Sequence, residues 1–430
     1  MSGTHPVCPI DGTGGLALDA YGILVAVAAL IVTYGLFSGA PLARYVTGPM
    51  VFTAAGFGLA ALWFDSSAAT LDRSEIATEA MQLLAEFGLA ILLFTDAARI
   101  NPTHLRAGEG LPARMLLIGL PGTMALGLLI AWAFFPGDPW WSLALIALIL
   151  APTDAALGQS AIANPDMPEF VSQTLNVESG LNDGLALPPI LIVLGIAAGN
   201  DGSGGFASGA ATMAGHLILG PLAGIVIGYG GGWLIRRAVQ RHEMTRLFQR
   251  LSAPALAIVA YAGAEAIGGN GFIAAFAGGL MVSVTLHRAA SAQRLEDFAV
   301  AEANILISAL FLLFGALIVP IGMDHWDLAA LGYAGLSLTV IRMVPIFLSL
   351  IGTKLDWSTT MLLAWLGPRG IASVLYLLIA LQALGGETPD RLVSVVSLTV
   401  FISIFLHGLT ATPFAALYLA KRRKSGKHVK

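Results

Sequence analysis

Three acidic residues lie inside two neighbouring apolar stretches of the chain. Asp154 follows Thr153 in the first stretch, and Glu178 and Asp183 lie in the second. A carboxylate buried in hydrocarbon is costly unless it is paired, neutralised or part of a substrate pathway. These residues therefore predict a polar site in the interior of an otherwise apolar protein.

The residues around Asp154 are rich in hard oxygen donors. Pro152 removes a backbone donor and frees carbonyl groups. Irregular backbone at membrane depth is tolerated where it lines a cavity or is covered by protein. Together with the hydroxyl of Thr153 and the carboxylates of Asp154 and Asp183, such carbonyls suit a small, hard cation.

The second stretch predicts two helix faces with different tasks. Ser179 and Asp183 are four residues apart and share one face, whereas Glu178 and Asn182 share the next. Glu178 therefore points away from Asp183 and is expected to pair with a buried arginine. We favour Arg342 as that partner, in a structural ion pair.

The elements that must carry these residues are membrane helices. The chain is 57% hydrophobic and 11% charged, with a mean hydropathy of +0.80. A run of about 18 or more apolar residues is long enough to cross a bilayer as a helix. We predict an all-α membrane protein with about thirteen transmembrane helices, at 17–37, 47–64, 75–97, 113–135, 140–161, 172–198, 208–235, 251–268, 270–286, 299–321, 327–351, 358–382 and 392–419.

Basic residues in the short connections predict the orientation. Five arginines lie between Arg236 and Arg250, after the seventh span, and the tail 420–430 is also basic. Short loops rich in Lys and Arg stay in the cytoplasm. We therefore predict a multi-pass protein of the cell membrane with its N-terminus outside and its C-terminus in the cytoplasm. The tail is interpreted mainly as this topology signal, with membrane lipids as its neighbours.

Two helix breaks occupy corresponding places in the two halves of the chain. Pro152 interrupts the fifth span and Pro368 the twelfth. Paired interrupted helices indicate a transporter built from inverted repeats. The single membrane domain, 1–430, would then consist of repeats 17–198 and 251–419, linked by the span 208–235.

Four motifs together resemble a known family. They are Thr153-Asp154, the stretch Glu-Ser-Gly-Leu-Asn-Asp at 178–183, the glycine- and alanine-rich stretch 271–280, and Gly-Pro-Arg-Gly at 367–370. Their order and spacing are similar to those of the monovalent cation:proton antiporter-1 family, in particular its NhaP-type sodium/proton antiporters.

The resemblance implies a thirteen-span inverted-repeat fold, a homodimer, and a six-helix core that moves against a dimerisation domain. It also implies that Asp183 is the main carboxylate for cation and proton, and that Asp154, Thr153 and Ser179 complete the Na⁺ site. Asn182 stands where the electrogenic branch of the superfamily has a second Asp. An Asn there implies electroneutral exchange of one cation for one proton.

Further residues are assigned by the resemblance alone. Glu178 and Arg342 match the family's buried ion pair, and Arg369 matches its helix-crossing arginine. Asp96 matches an ion-binding acid of the third span, one residue further along than in such members. Ala155 departs from the family pattern, in which proline often follows Thr-Asp.

The predicted function is Na⁺ (or Li⁺)/H⁺ antiport through alternating access. The alternative is a K⁺/H⁺ or broad-specificity monovalent cation/proton antiporter. We expect no enzymatic activity, no cofactor and no nucleic-acid partner. An intramembrane aspartyl protease would have Gly-x-Gly-Asp, which the Asn182-Asp183-Gly184 context lacks, and a channel would show no competition between cation and proton. His407, in an apolar span, is interpreted as a packing residue.

Overall fold

The computed structural model describes residues 20–38, 45–63, 76–99, 110–158, 161, 164, 166–198, 206–286 and 305–424. Helices dominate these ranges, and no strand occurs in them. The part of the basic tail beyond Lys424 lies outside the described residues.

Fourteen helices follow one another along the described chain. They are α1 (Ala20–Phe37), α2 (Gly48–Trp63), α3 (Ile76–Arg99), α4 (Leu111–Phe134), α5 (Trp140–Ile149), α6 (Glu169–Ala198), α7 (Phe206–Gln240), α8 (Arg246–Glu265), α9 (Gly271–Leu286), α10 (Ile305–Met323), α11 (Leu328–Ser349), α12 (Trp357–Trp365), α13 (Ile371–Leu384) and α14 (Asp390–Lys424). Because α12 and α13 form one interrupted crossing, this series is consistent with the thirteen predicted spans.

Most of these helices have the composition of membrane spans. Among the described residues, seven helices are long and apolar enough to cross a membrane, and five shorter helices are also apolar. Long apolar helices are suited to a bilayer because they satisfy their own backbone hydrogen bonds. The all-α class is therefore confirmed, whereas the predicted repeat boundaries stay predictions.

A stripe of glycines brings α7 close to α9. Gly220, Gly224, Gly228 and Gly232 follow one another every fourth residue and so share one face of α7. A side chain at Gly224 or Gly228 would overlap backbone atoms of α9. Small residues allow membrane helices to approach in this way, and the pair forms part of the packed frame beside the polar site.

The two predicted breaks are present at the expected places. The helix α5 ends at Ile149, and a short 3₁₀ turn, Ala155–Gly158, follows the non-helical residues after it. The helix α12 ends at Trp365, and α13 begins at Ile371. In both cases the last helical residue lies three positions before a proline, Pro152 or Pro368, because proline cannot continue the hydrogen-bond pattern of the preceding turn.

A third break was not predicted. Thr339 has φ −119° and ψ −90°, and it divides α11 into Leu328–Leu338 and Val340–Ser349. Its hydroxyl donates to the carbonyl of Gly335 at 2.6 Å. The interruption lies three residues before Arg342, whose side chain reaches the polar site.

Candidate functional site

The two interrupted helices cross at Asp154. The backbone N–H of Asp154 donates to the carbonyl of Pro368 at 2.9 Å. In return, the N–H of Ile371 donates to Asp154 Oδ2 at 2.9 Å. Ile371 is the first residue of α13, so the carboxylate caps the end of the helix where the backbone N–H groups are unsatisfied and the dipole is positive.

Arg369 caps the opposite helix end at the same crossing. Its guanidinium is buried, and Nη1 donates to the carbonyls of Ala151 at 2.7 Å and Pro152 at 3.1 Å. The hydroxyl of Ser373 donates to the carbonyl of Ile149, the last residue of α5, at 2.8 Å. A cation and a hydroxyl therefore satisfy the negative carboxyl end of α5.

Two glycines leave room for the charged side chains at the crossing. A Cβ at Gly370 would overlap the carboxylate of Asp154, and a Cβ at Gly367 would overlap the guanidinium of Arg342. The Gly-Pro-Arg-Gly motif thus supplies one charged side chain and space for two others.

Glu178 connects the first break to α11. Arg342 Nη1 donates to Glu178 Oε1 at 2.9 Å, and the side chains of both residues are 1% exposed. The hydroxyl of Thr153 donates to the other oxygen, Oε2, at 3.1 Å. The buried carboxylate of Glu178 therefore binds Arg342 of α11 through one oxygen and Thr153 of the first break through the other.

Asn182 and Ser179 hold the other side of Thr153. The amide Nδ2 of Asn182 donates to Thr153 Oγ1 at 2.7 Å, and the hydroxyl of Ser179 donates to the carbonyl of Thr153 at 3.0 Å. The oxygen Oδ1 of Asn182 is buried and has no hydrogen-bond partner within the described part of the chain. Thr153 is thus fixed by three residues of one helix, α6.

Asp183 lies next to this network and is bound differently. Its side chain is 6% exposed, and Oδ1 is buried without a hydrogen-bond partner among the residues that the structure describes. The carboxylates of Asp96, Asp154 and Glu178 lie close enough to interact with it electrostatically. Asp183 is halfway along α6, so this partly unsatisfied acid is far from both helix ends.

The donor set fits a proton or a monovalent cation better than a transition metal. No group of three or more His, Cys, Asp or Glu residues that could hold a metal ion occurs in the described ranges. The oxygens near the crossing come instead from carboxylates, one amide, hydroxyls and freed carbonyls, which are typical ligands of hard cations. Asp183 is the acid of α6 that has a buried oxygen without a hydrogen-bond partner in the described part of the chain.

Two contributors to the site were missed in the sequence. Ser373 binds the end of α5, and the hydroxyl of Tyr376 donates to the backbone carbonyl of Asp183 at 2.9 Å. Both are buried, and they are three residues apart on one face of α13. Their spacing after Arg369 was the available signal, but single hydroxyl groups in an apolar helix are too common to be decisive.

The fold and the site define a multi-pass membrane protein with a crossed pair of interrupted helices around buried carboxylates. The family model described as sodium/hydrogen exchanger, transmembrane, matches residues 24–417. The chain therefore belongs to the sodium/hydrogen exchanger family, and it is of the NhaP type.

Known relatives agree with this assignment. The chain is 27% identical over 353 residues to the K(+)/H(+) antiporter NhaP of Alkalimonas amylolytica, covering 80% of this chain and 59% of that protein. It is 24% identical over 348 residues to the K(+)/H(+) antiporter NhaP2 of Shewanella oneidensis, covering 78% of this chain and 57% of that protein. The chain thus spans less than two thirds of the length of these curated relatives.

A solved structure supports the fold. The sodium proton antiporter MjNhaP1 from Methanocaldococcus jannaschii superposes with a TM-score of 0.73 at 17% identity, covering 93% of this chain and 99% of that chain. The protein therefore has the sodium/proton antiporter fold.

Proposed function

We propose that this protein is an antiporter that exchanges a monovalent cation, Na⁺ or Li⁺, for a proton across the cell membrane. The observation that carries the proposal is Asp183, a buried carboxylate halfway along a membrane helix with one oxygen unpaired in the described part of the chain. An ionised carboxylate in such a place is stable only when an opposite charge neutralises it.

Exchange follows if cation and proton compete for Asp183. Either one neutralises the carboxylate, so the loaded site can pass through the low-dielectric interior. The empty, charged site passes poorly because it has lost its hydration without gaining a partner. The proposed mechanism therefore needs alternating access but no energy source beyond the two ion gradients, and it predicts that acid inhibits cation uptake by competition.

The charges around Asp183 support electroneutral exchange. Glu178 is neutralised by Arg342, and the position before Asp183 holds the neutral Asn182. Asp154 caps the first turn of α13 and Asp96 lies on α3, so we assign Asp183 as the single carboxylate that carries either one cation or one proton. We assign Asp154, Thr153, Ser179 and Asn182 to the support of the site in this proposal.

Asp96 is the proposed contribution of the third membrane helix. It lies on α3, outside the crossing, and its carboxylate interacts with that of Asp183. It would attract the cation toward the carrier carboxylate from the neighbouring helix.

Potassium is the second candidate for the transported cation. Two similar proteins are named K(+)/H(+) antiporters, whereas the similar structure is that of a sodium proton antiporter. Na⁺ and K⁺ both use oxygen ligands, so the discrimination depends on ligand number and cavity size.

The proposed orientation places the C-terminus and the turn between α7 and α8 in the cytoplasm. That turn and the adjoining ends of the two helices expose Arg236, Arg237, Arg241, Arg246 and Arg250. The last turn of α14 is also basic. Both features fit the positive-inside rule, and the N-terminus would be outside. A homodimer, which the family resemblance implies, completes the proposal.

The test is proton flux in proteoliposomes that are loaded with a pH-sensitive dye and given an acidic interior. We expect alkalinisation on addition of Na⁺ or Li⁺, and a comparison with K⁺ identifies the transported ion. Asp183→Asn should abolish the response. Asp324→Asn makes the same chemical change at an exposed position in the connection before α11 and should leave it intact. Equal flux in wild type and Asp183→Asn would refute the assignment.

A further inference from the structure

Two polar residues of α14 lie against the break between α12 and α13. Ser403 and His407 are one helical turn apart, and both are buried. The backbone N–H of Arg369 donates to Ser403 Oγ at 2.7 Å. Because Arg369 follows Pro368 outside any helix, this N–H has no helical carbonyl to bind, and Ser403 satisfies it.

His407 holds the other side of the same break. Its Nδ1 lies 3.3 Å from Ser403 Oγ and 3.3 Å from the carbonyl of Ser403. Its ring lies against that of Trp365, with the centroids 5.2 Å apart. Trp365 is the last residue of α12, so Ser403 and His407 together contact both ends of the non-helical segment.

Arg369 transmits this contact to the candidate cation site. While its backbone is held by Ser403, its guanidinium donates to the carbonyls of Ala151 and Pro152. These carbonyls directly precede Thr153, and Thr153 carries the hydrogen bonds from α6. A displacement of the Arg369 backbone would therefore move the oxygen atoms of the first break.

We propose that Ser403 and His407 are positioning residues for cation binding. They fix the backbone of Arg369, and through its guanidinium they set the position of Thr153 beside Asp183. Neither residue touches the ion. The inference rests on the proposed antiport function and extends the site to α14, where His407 is more than a packing residue.

The first variant to test is Ser403→Ala. It removes the acceptor for a buried N–H, and a hydrogen bond of this kind contributes enough for about a fivefold change in affinity. We expect the apparent KM for the transported cation to rise about fivefold while the maximal rate per folded protein stays within about twofold. Thr399→Val is the matched control. The hydroxyl of Thr399 is buried on the same helix, and it donates to the backbone carbonyl of Val395 one turn earlier in that helix.

A second pair of variants separates the two contacts of His407. His407→Asn keeps a polar group near the position of Nδ1 but removes the ring, whereas His407→Phe keeps a ring for Trp365 but removes the hydrogen bond. If positioning acts through Ser403, His407→Phe raises the KM and His407→Asn stays closer to wild type. The reverse order would show that ring packing, and not the hydrogen bond to Ser403, is required, and it would overturn the positioning role of His407.

The outcomes distinguish this inference from the function on which it rests. A raised KM in Ser403→Ala, with an unchanged KM in Thr399→Val, supports the positioning role. An unchanged KM in Ser403→Ala, with only less folded protein or a lower maximal rate, overturns it while antiport stands. No cation-driven proton flux in the folded wild-type protein overturns both.

Discussion

Asp154 and Ile371 are joined by a hydrogen bond across the two broken helices, from the Ile371 N–H to Asp154 Oδ2 at 2.9 Å. The carboxylate therefore belongs to the structure of α13 as well as to the polar site. Its own N–H binds Pro368 in the same linker. An acid with such a role has two separable properties, an acceptor oxygen for the helix end and a charge near Asp183.

Asp154→Asn separates these two properties. The amide keeps an acceptor oxygen for Ile371 but removes the negative charge, so we expect a folded protein with a KM for the cation raised about tenfold. Asp154→Leu removes both properties and should also lower the thermal midpoint, since loss of a helix cap costs about 1 kcal/mol. Flux assays and thermal unfolding in detergent give the two readouts. An unchanged KM in Asp154→Asn would show that its charge does not contribute to cation binding.

Glu178 and Arg342 are expected to stabilise the fold as a pair. Removing one partner leaves a buried charge without compensation, which costs about 3–5 kcal/mol. Arg342→Met and Glu178→Gln alone should therefore each lower the thermal midpoint strongly. The double variant should recover much of the loss because it leaves no unpaired buried charge at this place.

The double variant also tests whether the pair takes part in transport. If the pair is structural, the folded double variant still exchanges cations for protons. A stable double variant without flux would contradict that assignment and place Glu178 or Arg342 in the transport pathway.

The sequence predicted the parts of this protein that depend on local chemistry. The helix breaks follow from Pro152 and Pro368, which act on the turn immediately before them. The membrane helices follow from long apolar runs. The family motifs likewise pointed to the segments that the structure brings together at the crossing.

The individual hydrogen-bond partners could not be predicted in the same way. Thr153 was expected to offer its oxygens to a cation, but its hydroxyl donates to Glu178 and its carbonyl accepts from Ser179. Likewise, Ser403 reaches Arg369 from a separate helix. Such contacts join segments far apart in sequence, and helix periodicity determines the face of a residue but not the neighbour against which that face packs.

Gly370 is expected to be intolerant of a side chain. A Cβ there would overlap the carboxylate of Asp154, which is held in place by Ile371. Gly370→Ala should therefore abolish most of the cation-driven proton flux. It should also lower the thermal midpoint, because overpacking typically lowers the free energy of unfolding by about 1–3 kcal/mol. Gly386→Ala is the control, since a Cβ at Gly386 meets no atom within 4 Å. Normal flux in folded Gly370→Ala would show that Asp154 can move without loss of function.

Asp327 provides a pH-dependent contribution to stability outside the membrane spans. The hydrogen bond from the Ala330 N–H, together with Arg391, holds the pKa of Asp327 below its ordinary value of 3.8. A lowered pKa means that the ionised form stabilises the fold above pH 3.8 and that this stabilisation is lost as the pH falls through the lower folded-state value. Asp327→Asn keeps an acceptor for the helix cap but loses the charge.

At pH 7 we therefore expect Asp327→Asn to have a thermal midpoint lower than wild type by on the order of 1 °C, because the pair with Arg391 is partly exposed and screened by solvent. The difference should shrink as the pH is lowered below 3.8 and the wild-type carboxyl takes up its proton. High salt at pH 7 should also reduce it. Asp324→Asn, an exposed residue of the same connection, is the control for a general effect of charge. A difference between Asp327→Asn and wild type that persists unchanged from pH 7 to pH 3 would mean that the side chain acts through its shape and not through its charge.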